Sequence, residues 1–289
     1  MKKVHVLVLS IFLSNMFYTL FAESVKPEPH SFIVDKNWQL MVKQQSHHGT
    51  NGAGYVKPGG ESDQEYEARM LKAAMNGKTK AQYQLGCFYY DKMRFKEAFS
   101  WLLSAAEDGM KHAQYSVGVC YQNGEGVEQS GVDAFRWFLK SARQNNPDAE
   151  YKVGKCYEQG TGVAPDLQQA VYWWTLAADA GQPGAQYEMG NCCFQGKGVK
   201  QDHLQAFRWF SKAAEGNNVL AQAKLGDCYY EGYGTTRNHE RAYYWWIISE
   251  QNDPSEVNEN KEVVEKELTA KRIKRIKAAA QQWLFRHYE

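Results

Sequence analysis

Residues Ala149–Gly184 read AEYKVGKCYEQGTGVAPDLQQAVYWWTLAADAGQPG, and the next block, Ala185–Leu220, reads AQYEMGNCCFQGKGVKQDHLQAFRWFSKAAEGNNVL. The block before it, Ala113–Asp148, keeps the same landmarks, and a further copy starts at Ala221. Gly118, Gly154, Gly190 and Gly226 recur every 36 residues, as do the G-x-G pairs that begin at Gly124, Gly160, Gly196 and Gly232. Trp137, Trp173, Trp209 and Trp245 hold the same step. A period of this length marks a solenoid of helix pairs, in which each unit buries its apolar face only against its neighbours.

Inside a unit, counted from the leading alanine, positions one, five and eight are apolar, as in Ala149, Val153 and Cys156. That spacing predicts a first helix with one buried stripe. Glycine at position six removes the side chain where a neighbouring helix must come close, and the G-x-G pair supplies positive φ for the turn. The second helix opens with a capping residue: Asp166 followed by Gln169, Asp202 by Gln205, and Ser130 by Asp133. Its expected buried stripe is Ala170, Trp173, Trp174 and Ala177.

The wording A-x-x-x-[LVM]-G-x-C-Y-x-x-G-x-G-V…A-x-x-W-[FW]-x-x-A-A resembles the Sel-1-like repeat family, relatives of the tetratricopeptide repeats. The resemblance implies an all-α, right-handed α/α superhelical solenoid. Five units are read, at 81–112, 113–148, 149–184, 185–220 and 221–254, the first shortened and lacking the G-x-G-V loop. Gln64–Lys80 aligns with half a repeat, with Arg69 in the tryptophan slot; a degenerate polar half-unit suits an N-terminal cap.

Outside the array, Met1–Ala22 has Lys2 and Lys3 ahead of an apolar run and ends at Ala22-Glu23. It reads as a signal peptide cleaved after Ala22, with an uncleaved anchor as the alternative, and places the protein in the periplasm or outside the cell. Residues 23–63, with Pro27, Pro29, Pro58 and the tract QQSHHGTNGAG, read as a flexible linker. His47-His48 lack the further ligands a metal set needs. Residues 255–289 break the repeat and place Val264, Leu268, Ile273, Ile276, Ala280, Trp283 and Leu284 on one side of a single C-terminal capping helix. Lys271, Arg272, Lys274, Arg275 and Lys277 form a basic cluster on it, read as a solvated face, with an anionic-surface site as the alternative.

The net charge of +1 gives no reason to expect nucleic acid. No nucleophile–base pair, metal set or cofactor loop is present in motif form, so the reading is non-enzymatic, with no cofactor and no metal site. The G-x-G loops are structural, since no strand precedes them and no Lys follows in phosphate-loop spacing. Some family members are cysteine-rich, with a disulfide inside each repeat, and have been described as penicillin-binding or β-lactamase-like, so a β-lactamase-like or cell-wall-binding protein is an alternative function. Here no second helix carries a cysteine. Cys120, Cys156, Cys192 and Cys228 are read as unbridged small hydrophobes, because stacked helix axes stand too far apart for a disulfide. Cys87, at position seven, is expected to be exposed, which leaves a thiol-redox accessory as one alternative function.

The partner surface is expected on the inner face, which the resemblance assigns to first helices, at positions four, seven and eleven. The candidate binding residues are Lys152, Lys155, Glu188, Asn191, Lys224 and Asp227, one polar track suited to a protein or peptide and not to a lipid. The family's exported bacterial members often mediate envelope complexes or host contacts, and the resemblance carries that expectation over.

Overall fold

The Ser62 side chain accepts a hydrogen bond from the Glu65 amide while Glu65 reaches back to the Ser62 amide, and this reciprocal cap starts the first of the described helices. The computed structural model describes Tyr55, Lys57 and residues 59–255 and 258–288. The signal segment, most of the linker and His47-His48 lie outside the described residues.

Thirteen helices and no strand occur among the described residues. The first, α1 (Asp63–Met75), is the half-unit. Five pairs follow: α2 (Thr79–Asp91) with α3 (Phe95–Glu107), α4 (Lys111–Asn123) with α5 (Gly131–Ala142), and α6 (Pro147–Gln159) with α7 (Leu167–Asp179). Next come α8 (Pro183–Gln195) with α9 (His203–Glu215), then α10 (Val219–Glu231) with α11 (His239–Asn252). The chain ends in α12 (Asn260–Glu267) and α13 (Ala270–Tyr288). Each first helix packs on its partner and on the second helix of the preceding pair, so the core is a row of small clusters and not one centre.

The close approach within a pair rests on position six. A Cβ built on Gly154 would lie 2.4 Å from Trp174, on Gly190 2.5 Å from Phe210, and on Gly226 2.4 Å from Trp246. Gly86 and Gly118 meet Leu102 and Phe138 in the same way. The fully buried aromatic is therefore Trp174, with 1% of its surface exposed, and not the periodic Trp173, which is only half-buried. Both belong to the broad apolar stripe of α7, but only the residue opposite the glycine enters the hole it leaves.

The turns follow the sequence. Gly160 caps α6 in the left-handed region, and Gly162 repeats that conformation where a Cβ would strike the Gly131 carbonyl oxygen at 2.1 Å. Asp166 accepts from the amides of Gln168 and Gln169, Asp202 from Gln205 and Ser130 from Asp133, as the capping pattern predicts.

Three junctions between units carry an edge-on aromatic pair. Phe99–Tyr121, Phe135–Tyr157 and Phe207–Tyr229 have centroids 5.3–5.4 Å apart at 86–90°. At the fourth junction the equivalent residues are Val171 and Cys193, two small side chains in place of two rings.

Two expectations need correction at the ends. Tyr55, read as linker, packs on Tyr66 and Phe88 with centroids 5.2 and 5.3 Å apart and donates to Asp91. The single end helix is two, because Leu268 takes an extended conformation between α12 and α13. The predicted apolar side still packs inward: Val264, Ile276 and Ala280 are buried, with Leu268, Ile273, Trp283 and Leu284 against the same cluster.

Candidate functional site

Positions four and seven of successive first helices lie on one face, but their side chains differ in what they have left to offer. On α6, Lys155 sits over the Trp174 ring at 5.8 Å and binds Glu158 at 2.5 Å and Glu188, from α8, at 3.2 Å. Burial alone would lower the Lys155 pKa, yet the two carboxylates outweigh it and push it up to about 12. Lys155 and Glu188 are thus an internal bridge between units and are largely spent.

Lys152, one turn earlier, has no carboxylate within ion-pair distance. Its half-buried ammonium donates to Gln122 Oε1 of α4 at 3.3 Å, and burial depresses its pKa, partly offset by Cys156 and Asp148. Asn191 on α8 is half-buried and has no hydrogen-bond partner among the described residues.

On α10, Asp227 is a keystone. Its Oδ1 accepts from Trp246 Nε1 at 3.1 Å and from Asn258 Nδ2 at 2.7 Å, while Lys224 Nζ stands 3.5 Å from Oδ2. The same slot in α6 holds Lys155, which cannot accept, and there the buried Trp174 Nε1 has no partner. Of the six expected residues, then, Lys152 and Asn191 remain available, Lys224 is exposed and loosely held, Lys155 and Glu188 are structural, and Asp227 is structural through Oδ1 while its Oδ2 is only loosely held.

A cleft of about 300 Å³ at this end of the face was not expected from the sequence. Phe194, Tyr230 and Tyr233 line it together with Lys224, Asp227 and Glu231, and Asn258 and Asn260 close one side. The signal was present: position ten is Gln122 and Glu158 in the middle of the array but Phe194 and Tyr230 here, and only this G-x-G encloses an aromatic, Tyr233.

The expected exposure of Cys87 is wrong. Its thiol is buried against Tyr83 and among Leu102, Ala113 and Val117, and that burial pushes its pKa up to about 12. Position seven of the first unit faces the next unit and not solvent, which removes the thiol-redox reading built on Cys87. All six cysteines are free and buried, as stacking geometry requires of the four in the ladder. No group of three His, Cys, Asp or Glu able to hold a metal occurs among the described residues, nor does a helix long and apolar enough to cross a membrane.

Paired helices of about four turns, stacked at a 36-residue step, define an α/α solenoid of the tetratricopeptide-like class. The chain belongs to the Sel1 repeat family, whose model (Sel1 repeat) matches residues 79–110, 111–146, 147–182, 183–218 and 219–252. Among solved structures it is similar to a protective antigen present in uropathogenic Escherichia coli strains that displays an SLR fold. That likeness has 32% identity and a TM-score of 0.69, over 76% of this chain and 48% of that one. It is also similar to a Sel1 repeat protein from Oxalobacter formigenes, at 33% identity and a TM-score of 0.61, over 71% of this chain and 60% of that one. The chain thus spans about half the length of the first relative and three fifths of the second. No curated protein matches the chain.

Proposed function

We propose that this chain is an exported scaffold that binds a protein or peptide segment along its first-helix face, in an envelope complex or in contact with a host. Proteins of the Sel1 repeat family are in general scaffolds for protein–protein interaction, which supports the coarse reading. The observation that carries it to this face is Lys152, a half-buried ammonium with only a glutamine oxygen for a partner. A cation held there by folding, whose desolvation Asp148 offsets only in part, is suited to an acidic group from a partner. The leader-like Met1–Ala22 and the likeness to a protective antigen support export.

A photo-crosslinking amino acid placed at position 152 or 191, in cells of the source organism, should yield one discrete protein adduct. The same group at exposed Arg136 or Arg208, on the second helices, should not. Equal adducts from both faces, or none from 152 and 191, would remove the first-helix face as the binding surface.

A further inference from the structure

We infer that the cleft between α8 and α10 is a receptor for one cationic side chain, lysine or arginine, of a bound protein segment. The inference deepens the reading above and rests on the first-helix face being the binding surface.

Three aromatic rings and two carboxylates converge there. Phe194 meets Tyr233 edge-on, at 5.2 Å and 83°, and packs on His203 at 4.9 Å. Tyr230 is held from behind by stacking on His239 at 5.2 Å and by Trp246 at 5.5 Å. The walls are thus fixed before anything binds, and Tyr233 keeps 38% of its surface exposed. Preset aromatic faces attract a cation through the ring quadrupole, and they also cover the apolar stem of a lysine or arginine.

Asp227 and Glu231 stand one turn apart on α10, on the same side of the helix. The Oδ1 of Asp227 is filled by two donors, but its Oδ2 has only Lys224 at 3.5 Å. Glu231 has Arg237 at 3.9 Å, with both side chains well exposed. Acceptor capacity therefore remains on both carboxylates. Lys224 is the single cationic lining residue and already leans on Asp227, so an anion would meet two carboxylates for one ammonium. The volume, about 300 Å³, suits one long side chain.

The chain supplies its own contrast. The slots of Phe194 and Tyr230 hold Gln122 and Glu158 in the middle units, that of Glu231 holds Asn123, Gln159 and Gln195, and that of Tyr233 holds Glu125, Thr161 and Lys197. The first unit has Tyr90 and Asp91 in the slots of Tyr230 and Glu231 but Gln122 and Glu125 in the next unit, so an acidic rim faced by aromatics at both position-ten slots and inside the G-x-G occurs in the last pair of units.

The test is 19F NMR of the full chain labelled with 3-fluorotyrosine, with Tyr230 and Tyr233 assigned by Tyr→Phe substitution. The probes are Nα-acetyl amides of arginine, lysine, norleucine and glutamate. The arginine and lysine amides should give saturable shifts at Tyr230 and Tyr233, and norleucine amide should bind at least about threefold more weakly. Glu231→Gln and Tyr233→Leu should each weaken the cations about threefold to tenfold, with the fold verified by an unchanged far-ultraviolet spectrum. Norleucine amide binding as well as lysine amide, glutamate amide binding better, or cation binding untouched by both variants would overturn the inference. So would no shift with any probe. Adducts at position 152 without cation binding here would refute the cleft alone, and cation binding without those adducts would refute the face.

Discussion

Three units clamp the preceding helix with a buried glutamine at position two: the Nε2 of Gln114, Gln186 and Gln222 donates to the carbonyl oxygens of Ala106, Ala178 and Ala214 at 3.1, 3.2 and 3.3 Å. In the third unit the slot holds Glu150, 4% exposed, and the equivalent carbonyl is that of Ala142. An ionised carboxylate has no proton to donate there. Burial raises the Glu150 pKa from the usual 4.5, against the weaker opposing charge of Lys111, whose Nζ is itself engaged with the Asn145 carbonyl oxygen. Because the folded value lies above the unfolded one, the folded chain binds the proton more tightly. Stability referable to Glu150 is fully present below the unfolded value and is lost as pH rises through the folded one. Glu150→Gln removes the buried charge and restores the donor, and one net hydrogen bond is worth about 0.5–1.5 kcal/mol. The variant should be more stable than wild type at pH 8 by about that amount, or by about 1–6 °C in melting midpoint. The gain should fade toward zero as pH falls into the ordinary glutamate range. Parallel thermal melts of the two proteins across pH 4–8 measure the difference, in which titrations common to both cancel. A destabilised variant, or a gain independent of pH, would show that Glu150 is not an ill-suited occupant of a glutamine slot.

Trp174→Ala should cost about 3–5 kcal/mol by opening a cavity, while Trp173→Ala should cost clearly less; equal losses in denaturant melts would refute the assignment of the buried slot. Gly154→Ala drives a methyl to within 2.4 Å of the Trp174 ring, and the same melts should show a loss of about 1–3 kcal/mol. A thiol reagent at pH 8 should leave the native protein nearly unlabelled, since burial pushes Cys120 and Cys228 up to about 12 and Cys156 and Cys192 up to about 11. In denaturant without reductant it should titrate all six cysteines, and finding three disulfides would contradict the stacking geometry.

The repeat made the fold legible because a 36-residue step fixes helix pairing, caps and left-handed turns at once, as Asp166, Gly160 and Gly162 show. It could not decide between adjacent aromatics. Trp173 and Trp174 are one residue apart on a broad stripe, and the choice is made by Gly154 on another helix. Periodicity also hides exceptions, since a repeat average places Cys87 on an open position while its own neighbours, Tyr83 and Val117, close over it. At the candidate site the polar track was readable, but its spending was not. Lys155 is tied by Glu158, its i+3 neighbour on the same helix, and by Glu188, which only the stacked geometry brings within 3.2 Å. The aromatic cleft was missed for a related reason: position ten belongs neither to the buried stripe nor to the polar one, and becomes a wall only when two units sit side by side.

The central claim is that the first-helix face, through Lys152, receives the partner. The most direct measurement is the affinity of the partner, once identified by crosslinking, for wild type, Lys152→Glu and a control reversing Lys271 and Lys274 on α13. Because Lys152 is half-buried, its reversal costs some stability, so binding is compared at a temperature where the far-ultraviolet spectrum shows both proteins fully folded. The reversal should weaken binding at least about tenfold, most at low salt, while the α13 control binds normally. Normal binding by Lys152→Glu together with loss in the α13 control would place the site on the basic end helix and contradict the account.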